Sequence, residues 1–422
     1  MGKKISALFV VLIVLASFSF SSCNRDNDVI VIWAWGSYIT AAHEAIAIYR
    51  RDVNPDARFE VLELGQYELV QKLNIALASG SMRNLPDIVI EEDYNLKGYI
   101  RYFPGKFADL TNYLNPTDFM NFKIANVTYN GRVYGIPYSS GAAAMFFRLD
   151  ILEQAGFQAS DMDGITWERF IEIGQQVKEI TGTFMLPISP EGNIEGRIML
   201  QSAGLWYYDE EYNLNILDNI GIEYMMTTIK ALFESGIVLR IHSWDDIIAA
   251  FYNGLVASVA GGPWWAPIIA ENQEQAGLWR VARIPRMSGD PSFTNYSNIA
   301  GCSWMVLNRG NQDRAINFLM KTVGTSTELA DIMVERGRIV PVLRTAVSVP
   351  NAVAGDPFFG GQNFIELMAN WGENIPAVNY GHHTYEIAYA HGWLMPDFLR
   401  GERTLHETIN LLQAEAQTII GR

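Results

Sequence analysis

Cysteine is almost absent from this sequence. Only Cys23 and Cys302 occur in 422 residues, so no intrachain disulfide can form if Cys23 has another role. The chain also lacks a Lys/Arg-rich run, and its 46 acidic against 31 basic residues give a formal net charge of −15. An electric field of that sign repels nucleic acid and anionic lipid surfaces. We therefore expect no nucleic-acid partner and a ligand that is neutral or cationic.

The common catalytic motifs are absent as well. The sequence contains no G-x-S-x-G, no H-E-x-x-H, no P-loop and no G-x-G-x-x-G. His383, Glu386 and His391 form a loose pattern that Zn²⁺ would accept, but no second His/Cys cluster completes a ligand shell. Glu92 and Asp245 are carboxylates of the kind that glycoside hydrolysis needs, and the sequence does not fix their separation. We expect neither enzyme activity nor a metal or other cofactor.

No apolar run reaches the roughly 20 residues of a membrane-spanning helix. The stretch "ISALFVVLIVLASF" has 14 residues, follows Lys3 and Lys4, and precedes small residues, which is the form of a secretion signal. The "FSSC" that ends it resembles a bacterial lipobox, with Phe20 where leucine is usual. Residues 1–22 are predicted to be a lipoprotein signal peptide, and Cys23 is predicted to be the lipidated residue. Stable anchoring to the membrane requires two or more acyl chains on that cysteine. An ordinary secretory signal is the alternative.

Strands and helices alternate in the first hundred residues. "DVIVIWAW", "ARFEVLEL" and "PDIVI" favour strands, and helical periodicity lies between them. This order predicts an α/β fold with parallel strands and helices on both faces. A chain of this length exceeds a single core, and no Pro/Ser linker separates independent domains, so we expect two interleaved lobes. The segments "WGSY" and "EEDY" follow strands, where ligands bind in such sheets.

Three segments resemble one family. "NGRVYGIPYSSGAAAMFFRLDILEQAGF", "AAFYNGLVASVAGGPWW" and "GCSWMVLNRGNQDRAINFLMKTVGTSTELADIMVERGRIVPVLRTA" are similar, in this order, to segments of family 1 extracellular solute-binding proteins of ABC importers. The resemblance runs from about Val29 to the C-terminus. It implies a two-lobe periplasmic-binding-protein fold, type II-like, with parallel-rich sheets and a hinge. We predict lobe I over 23–136 with 296–344 and lobe II over 137–295 with 345–422.

The resemblance also implies a function. Such proteins bind a solute in the cleft, close by hinge motion and dock on a membrane permease, and most of those resembling this chain carry sugars or oligosaccharides. We expect a monomer on the outer side of the cytoplasmic membrane, held there only by its lipid anchor. A membrane-tethered glycoside hydrolase, or a receptor for peptides, polyamines or metal, are the alternatives.

Aromatic rings stack on sugar faces, and carboxylates bond sugar hydroxyls. Residues of both kinds lie at predicted loop ends, although a tryptophan in a lobe of this size is more often part of the core. The candidate ligand-binding residues are Trp35, Tyr38, Glu92, Asp93, Tyr138, Trp206, Trp264, Trp265, Trp304 and Trp371.

Overall fold

The computed structural model describes residues 28–80 and 82–421. The predicted signal peptide and Cys23 therefore lie outside the described residues. The strands are β1 (Val29–Trp35), β2 (Arg58–Leu64), β3 (Ile88–Glu92), β4 (Thr128–Tyr129), β5 (Arg132–Val133), β6 (Ile136–Ser139), β7 (Ala144–Arg148), β8 (Leu186–Ile188), β9 (Val238–Arg240), β10 (Ser258–Gly261), β11 (Trp279–Arg283) and β12 (Cys302–Val306).

The α-helices are α1 (Ser37–Asp52), α2 (Gln66–Ala78), α3 (Asp93–Tyr102), α4 (Asn121–Val127), α5 (Leu149–Gln154), α6 (Trp167–Thr181), α7 (Asn193–Ser202), α8 (Ile220–Glu234), α9 (Trp244–Tyr252), α10 (Trp265–Ala270), α11 (Gln312–Lys321), α12 (Thr327–Gly337), α13 (Pro350–Val353), α14 (Phe364–Gly372), α15 (Thr384–Leu399) and α16 (Leu405–Ile420). None of the helices in the described residues is both long and apolar enough to cross a bilayer.

A five-stranded sheet in the order β2-β1-β3-β12-β6 forms the core of one half, which we call lobe I. Strand β1 pairs in parallel with both β2 and β3, while β12 pairs antiparallel with β3 and β6. The interior of β1 is buried and continuously apolar, because helices cover both faces of the sheet. Helices α1, α2, α11 and α12 pack on this half.

A three-stranded antiparallel sheet in the order β10-β7-β11 forms the core of the other half, lobe II. The parallel pair β8 and β9 extends it, since the Ser258 backbone N–H donates to the Met185 carbonyl at 2.9 Å. Helices α7, α8, α15 and α16 pack together here. The two-lobe α/β fold predicted from the sequence is confirmed.

Two segments cross between the sheets side by side. Strand β6 leads through Gly141 into β7, and residues 297–301 return to β12. The Ile299 N–H donates to the Gly141 carbonyl at 2.8 Å, and the Ala143 N–H donates to the Ser297 carbonyl at 2.8 Å. A Cβ on Gly141 would lie 2.3 Å from the Ile299 carbonyl oxygen, so glycine is required for this close approach. A third crossing, residues 373–383, joins α14 to α15.

Candidate functional site

A cleft of about 820 Å³ opens between the lobes. This volume lies within the roughly 300–1,000 Å³ typical of small-molecule sites. Helices α2 and α3 and the end of β3 form the lobe I wall, and α7, the start of α9 and the start of α15 form the lobe II wall. The lining residues are Gln66, Tyr67, Val70, Gln71, Asn74, Glu92, Tyr94, Asn95, Gly98, Tyr99, Tyr102, Arg197, Trp244, His382, His383, Thr384, Tyr385, Glu386 and Tyr389.

Charged groups of opposite sign meet at the cleft floor. Glu92 ends β3, is 8% exposed, and accepts a hydrogen bond from the Tyr385 hydroxyl of lobe II. Burial raises the pKa of Glu92, and the Tyr385 hydrogen bond and the Arg197 charge offset part of that rise. The Arg197 guanidinium lies 5.2 Å from the ring centroids of both Tyr94 and Tyr385. The floor thus offers a carboxylate acceptor and a cationic donor to one bound molecule.

Exposed aromatic rings form the cleft walls. Tyr67 is 77% exposed on lobe I, and Trp244 is 44% exposed on lobe II. The Trp244 ring stacks on Trp265 at 4.6 Å with an interplanar angle of 7°, and Trp264 packs against both. Trp265 is buried and Trp264 is half-buried. Trp264 and Trp265 therefore lie behind Trp244 and hold the Trp244 ring at the cleft surface.

The Asp93 carboxylate is buried and fully occupied by protein donors. Lys123 Nζ lies 2.5 Å away, the Ser303 hydroxyl donates at 2.7 Å, and the Asn126 amide donates at 3.1 Å. The side chains of both Asp93 and Lys123 have no exposed surface. Asp93 therefore joins the first turn of α3 to α4 and β12.

Four of the predicted aromatic residues form a row in lobe I. Trp35 contacts Tyr38 at 4.9 Å between ring centroids, Tyr38 contacts Tyr138 at 6.0 Å, and Tyr138 contacts Trp304 at 6.0 Å. The Tyr38 hydroxyl lies 2.8 Å from the Ser139 hydroxyl at the crossing segment. Tyr138 and Trp304 are buried, and none of the four is among the described residues that line the 820 Å³ cleft.

Trp206 and Trp371 lie apart from that row. Trp206 is buried, stacks on Tyr94 at 5.8 Å, and donates from its indole N–H to the Thr384 hydroxyl at 2.9 Å. It borders a second cavity of about 470 Å³ between α3 and the chain around Tyr208–Tyr212. Trp371 lines a separate surface pocket with Arg280 and Gln362. Ligand binding by the ten candidate residues of the sequence analysis stays a prediction.

The histidines of the zinc hypothesis have other neighbours. His383 Nε2 lies 2.5 Å from the Tyr102 hydroxyl, and its Nδ1 lies 3.8 Å from Glu386. His391 is buried beside the Tyr207 hydroxyl at 3.4 Å, and burial lowers the pKa of His391 to about 4. Across residues 28–80 and 82–421, no group of three or more His, Cys, Asp and Glu side chains is arranged to hold a metal ion.

Several cleft residues were missed by the sequence reasoning. Gln66 and Tyr67 follow β2, so the rule that drew attention to the ends of β1 and β3 would have found them if applied to β2. Trp244 follows Ser243, and the Ser-x-x-Asp pattern of Ser243 and Asp246 predicts a helix start there, not a ligand contact. Arg197 and Tyr385 lie within helices α7 and α15, where no local pattern distinguishes a cleft residue from any other.

Two lobes on separate sheets, joined by crossing segments and lined by polar and aromatic groups at the cleft, define a binding protein of the hinged, two-lobe class. The model of the bacterial extracellular solute-binding protein family matches residues 44–359. The chain therefore belongs to this family, and the resemblance drawn from the sequence is confirmed.

Relatives and solved structures agree with this assignment. The chain is 36% identical over 378 residues to the lactose-binding protein of Rhizobium radiobacter, covering 88% of each chain. Its fold is similar to that of the sugar-binding protein MalE from Xanthomonas citri, with a TM-score of 0.78, 15% identity and coverage of 93% and 99%. It is also similar to an ABC transporter associated binding protein from B. animalis subsp. lactis, solved with beta-1,6-galactobiose, with a TM-score of 0.69, 20% identity and coverage of 92% and 96%.

Proposed function

We propose that this protein is the extracytoplasmic substrate-binding component of an ABC importer, which captures a sugar or oligosaccharide between its lobes and delivers it to a permease. The observation that carries the proposal is the cleft itself, where exposed rings of Tyr67, Trp244 and Tyr389 surround Glu92 and Arg197. Flat rings suit the C–H faces of a pyranose, while the charged floor suits its hydroxyls. The relation to a lactose-binding protein supports the same ligand class.

Ligand capture is coupled to lobe closure in this proposal. The hydrogen bond from Tyr385 to Glu92 joins the lobes across the cleft floor. A sugar hydroxyl would share that carboxylate and contact both walls, so it would bind the closed form more tightly than the open one. A ligand shifts such an equilibrium only by its difference in affinity for the two forms. The permease then recognises the closed geometry.

A thermal-shift panel tests the ligand class. Lactose, galactobiose and maltose are compared with peptides, polyamines and Zn²⁺ on the same protein. A ligand at 100 times its dissociation constant should add about 2.7 kcal/mol to the free energy of unfolding. Stabilisation by a non-sugar solute alone would contradict the proposal. Shortened products after incubation with oligosaccharides would favour the glycoside hydrolase instead.

Gly98 offers a test of closure. It lies inside α3, and an added Cβ would lie 3.0 Å from the His382 carbonyl oxygen in the third crossing segment. Gly98→Ala should weaken sugar affinity severalfold by holding the lobes apart, whereas the empty protein should be no less stable, because alanine is favoured over glycine in helices by about 1 kcal/mol. Calorimetric titration and thermal melting measure the two effects.

The matched control is Gly196→Ala in α7, where the Cβ would meet Met225 at an ordinary 3.4 Å. Equal affinities for both variants would refute this role of the α3 contact.

The location and assembly complete the proposal. Family membership places the protein outside the cytoplasm, and we propose that residues 1–22 are removed, that Cys23 is lipidated, and that the chain works as a monomer. Cys23→Ala should release sugar-binding protein from the membrane fraction into the soluble fraction. Continued membrane association of that variant would argue against the anchor.

A further inference from the structure

Three aromatic residues are spaced four apart along α15. Tyr385 lies at the cleft floor, Tyr389 lines the cleft and is 58% exposed, and Trp393 follows one turn later. At 81% exposure, Trp393 has the largest exposed fraction of any large hydrophobic side chain in the described residues. Its position on the helix is not a core position, because Ile387, His391 and Met395 carry the buried face.

Helix geometry places these three side chains along one side of α15. Four residues advance about 6 Å along a helix, and residues four apart lie on neighbouring parts of its surface. The Tyr385 and Tyr389 rings stand 6.3 Å apart at an interplanar angle of 27°. Trp393 continues the same spacing away from the floor, beyond the residues that line the cleft. Glu386, which also lines the cleft, adds a carboxylate beside the rings.

Isolated exposed apolar residues need no explanation. Trp393 differs because it continues a row whose first two members already line the cleft. A ligand confined to the floor would contact Tyr385 and Tyr389 and leave Trp393 in solvent. A chain of several sugar units that leaves the cleft along α15 would cover its ring.

We propose that Tyr385, Tyr389 and Trp393 form an extended carbohydrate track and that the ligand is a linear oligosaccharide of three or more units, with an outer unit stacked on Trp393. This inference rests on the proposed sugar-binding function. It narrows the ligand class by length and assigns Trp393 the role of an outer specificity residue.

The experiment measures affinity against ligand length. Lactose with its galactosyl-extended tri- and tetrasaccharides, and maltose with maltotriose and maltotetraose, are titrated calorimetrically into the wild type and the variants Trp393→Ala and Trp393→Tyr. For tri- and tetrasaccharides of the series that binds, Trp393→Ala should weaken binding roughly tenfold, in line with the loss of one aromatic contact. The disaccharide affinity should stay unchanged, and Trp393→Tyr should restore most of the loss.

The control and the outcomes separate the two proposals. Tyr113 is 49% exposed in lobe I outside the cleft, so Tyr113→Ala should change no affinity. If the wild type binds none of these sugars, both the proposed function and this inference fail. If it binds sugars but Trp393→Ala affects no length, or all lengths equally, the track alone is refuted. Intact binding with lost uptake in that variant would likewise refute the track and assign Trp393 to the permease-facing surface.

Discussion

Replacing Lys123 by methionine is expected to lower the free energy of unfolding of the empty protein by about 3–5 kcal/mol, the usual cost of removing one partner of a buried ion pair. The Lys123 ammonium also donates to the Cys302 carbonyl at 3.2 Å, so its loss removes one donor from each of two buried acceptors and leaves the Asp93 charge without its counter-ion. Methionine has a similar length and no charge, which limits any cavity. Urea unfolding of the purified protein, with and without the substitution, measures the difference.

The partner variants isolate the ion pair from general damage to the core. Asp93→Asn alone should also destabilise, since Lys123 would remain charged and buried. The double variant with Lys123→Met should recover much of the loss, because an uncharged pair of similar volume needs no desolvation of charge. If Asp93→Asn instead leaves stability intact and weakens sugar binding, then Asp93 binds ligand, as the sequence suggested, and the structural role described here is wrong.

Local patterns were sufficient to predict most elements of the fold. The run "DVIVIWAW" is β1, and "TWERFIEIGQQVKEIT" is α6, which begins after the Thr166 cap as its periodicity indicates. The capping box at Ser243 and Asp246 is present at the start of α9. These features depend on residues within one turn or one strand, so the sequence contains the information needed to predict them.

The site was harder to predict because its geometry is non-local. Glu92 and Asp93 are neighbours, yet Glu92 faces the cleft while Asp93 faces a lysine on α4, 30 residues later. The residue types alone do not show which of these two carboxylates faces the cleft. The tryptophans have the same difficulty: Trp304 is in the middle of β12 and packs inward, whereas Trp244 owes its exposed position to Trp265 behind it. A ring on a strand and a ring at a helix start look alike in sequence.

Glu92→Gln is expected to weaken sugar affinity by about ten- to hundredfold, which corresponds to the roughly 1.5–3 kcal/mol of a hydrogen bond to a charged group. The carboxylate lies at the cleft floor between the lobes, where a bound hydroxyl would donate to it. The substitution should leave the empty protein as stable as before or more so, because burial raises the pKa of Glu92 and so disfavours its charge. Calorimetric titration with the best ligand of the thermal-shift panel measures the loss.

The adjacent glutamate provides the matched control. Glu91 is equally buried, but successive residues of a strand face opposite sides, and Glu91 accepts from the Asn95 amide at 2.9 Å and does not line the cleft. Glu91→Gln keeps an acceptor oxygen for Asn95 and should leave affinity unchanged.

The pH dependence of sugar affinity adds a second readout. Wild-type affinity should fall as the pH drops through the raised pKa of Glu92, because protonation removes the negative charge that strengthens a hydrogen bond from a sugar hydroxyl, and Glu92→Gln should lack that step. Equal affinity losses for Glu91→Gln and Glu92→Gln would mean that both glutamates affect binding only through the stability of the fold. Glu92 would then not be a ligand-binding acceptor at the cleft floor.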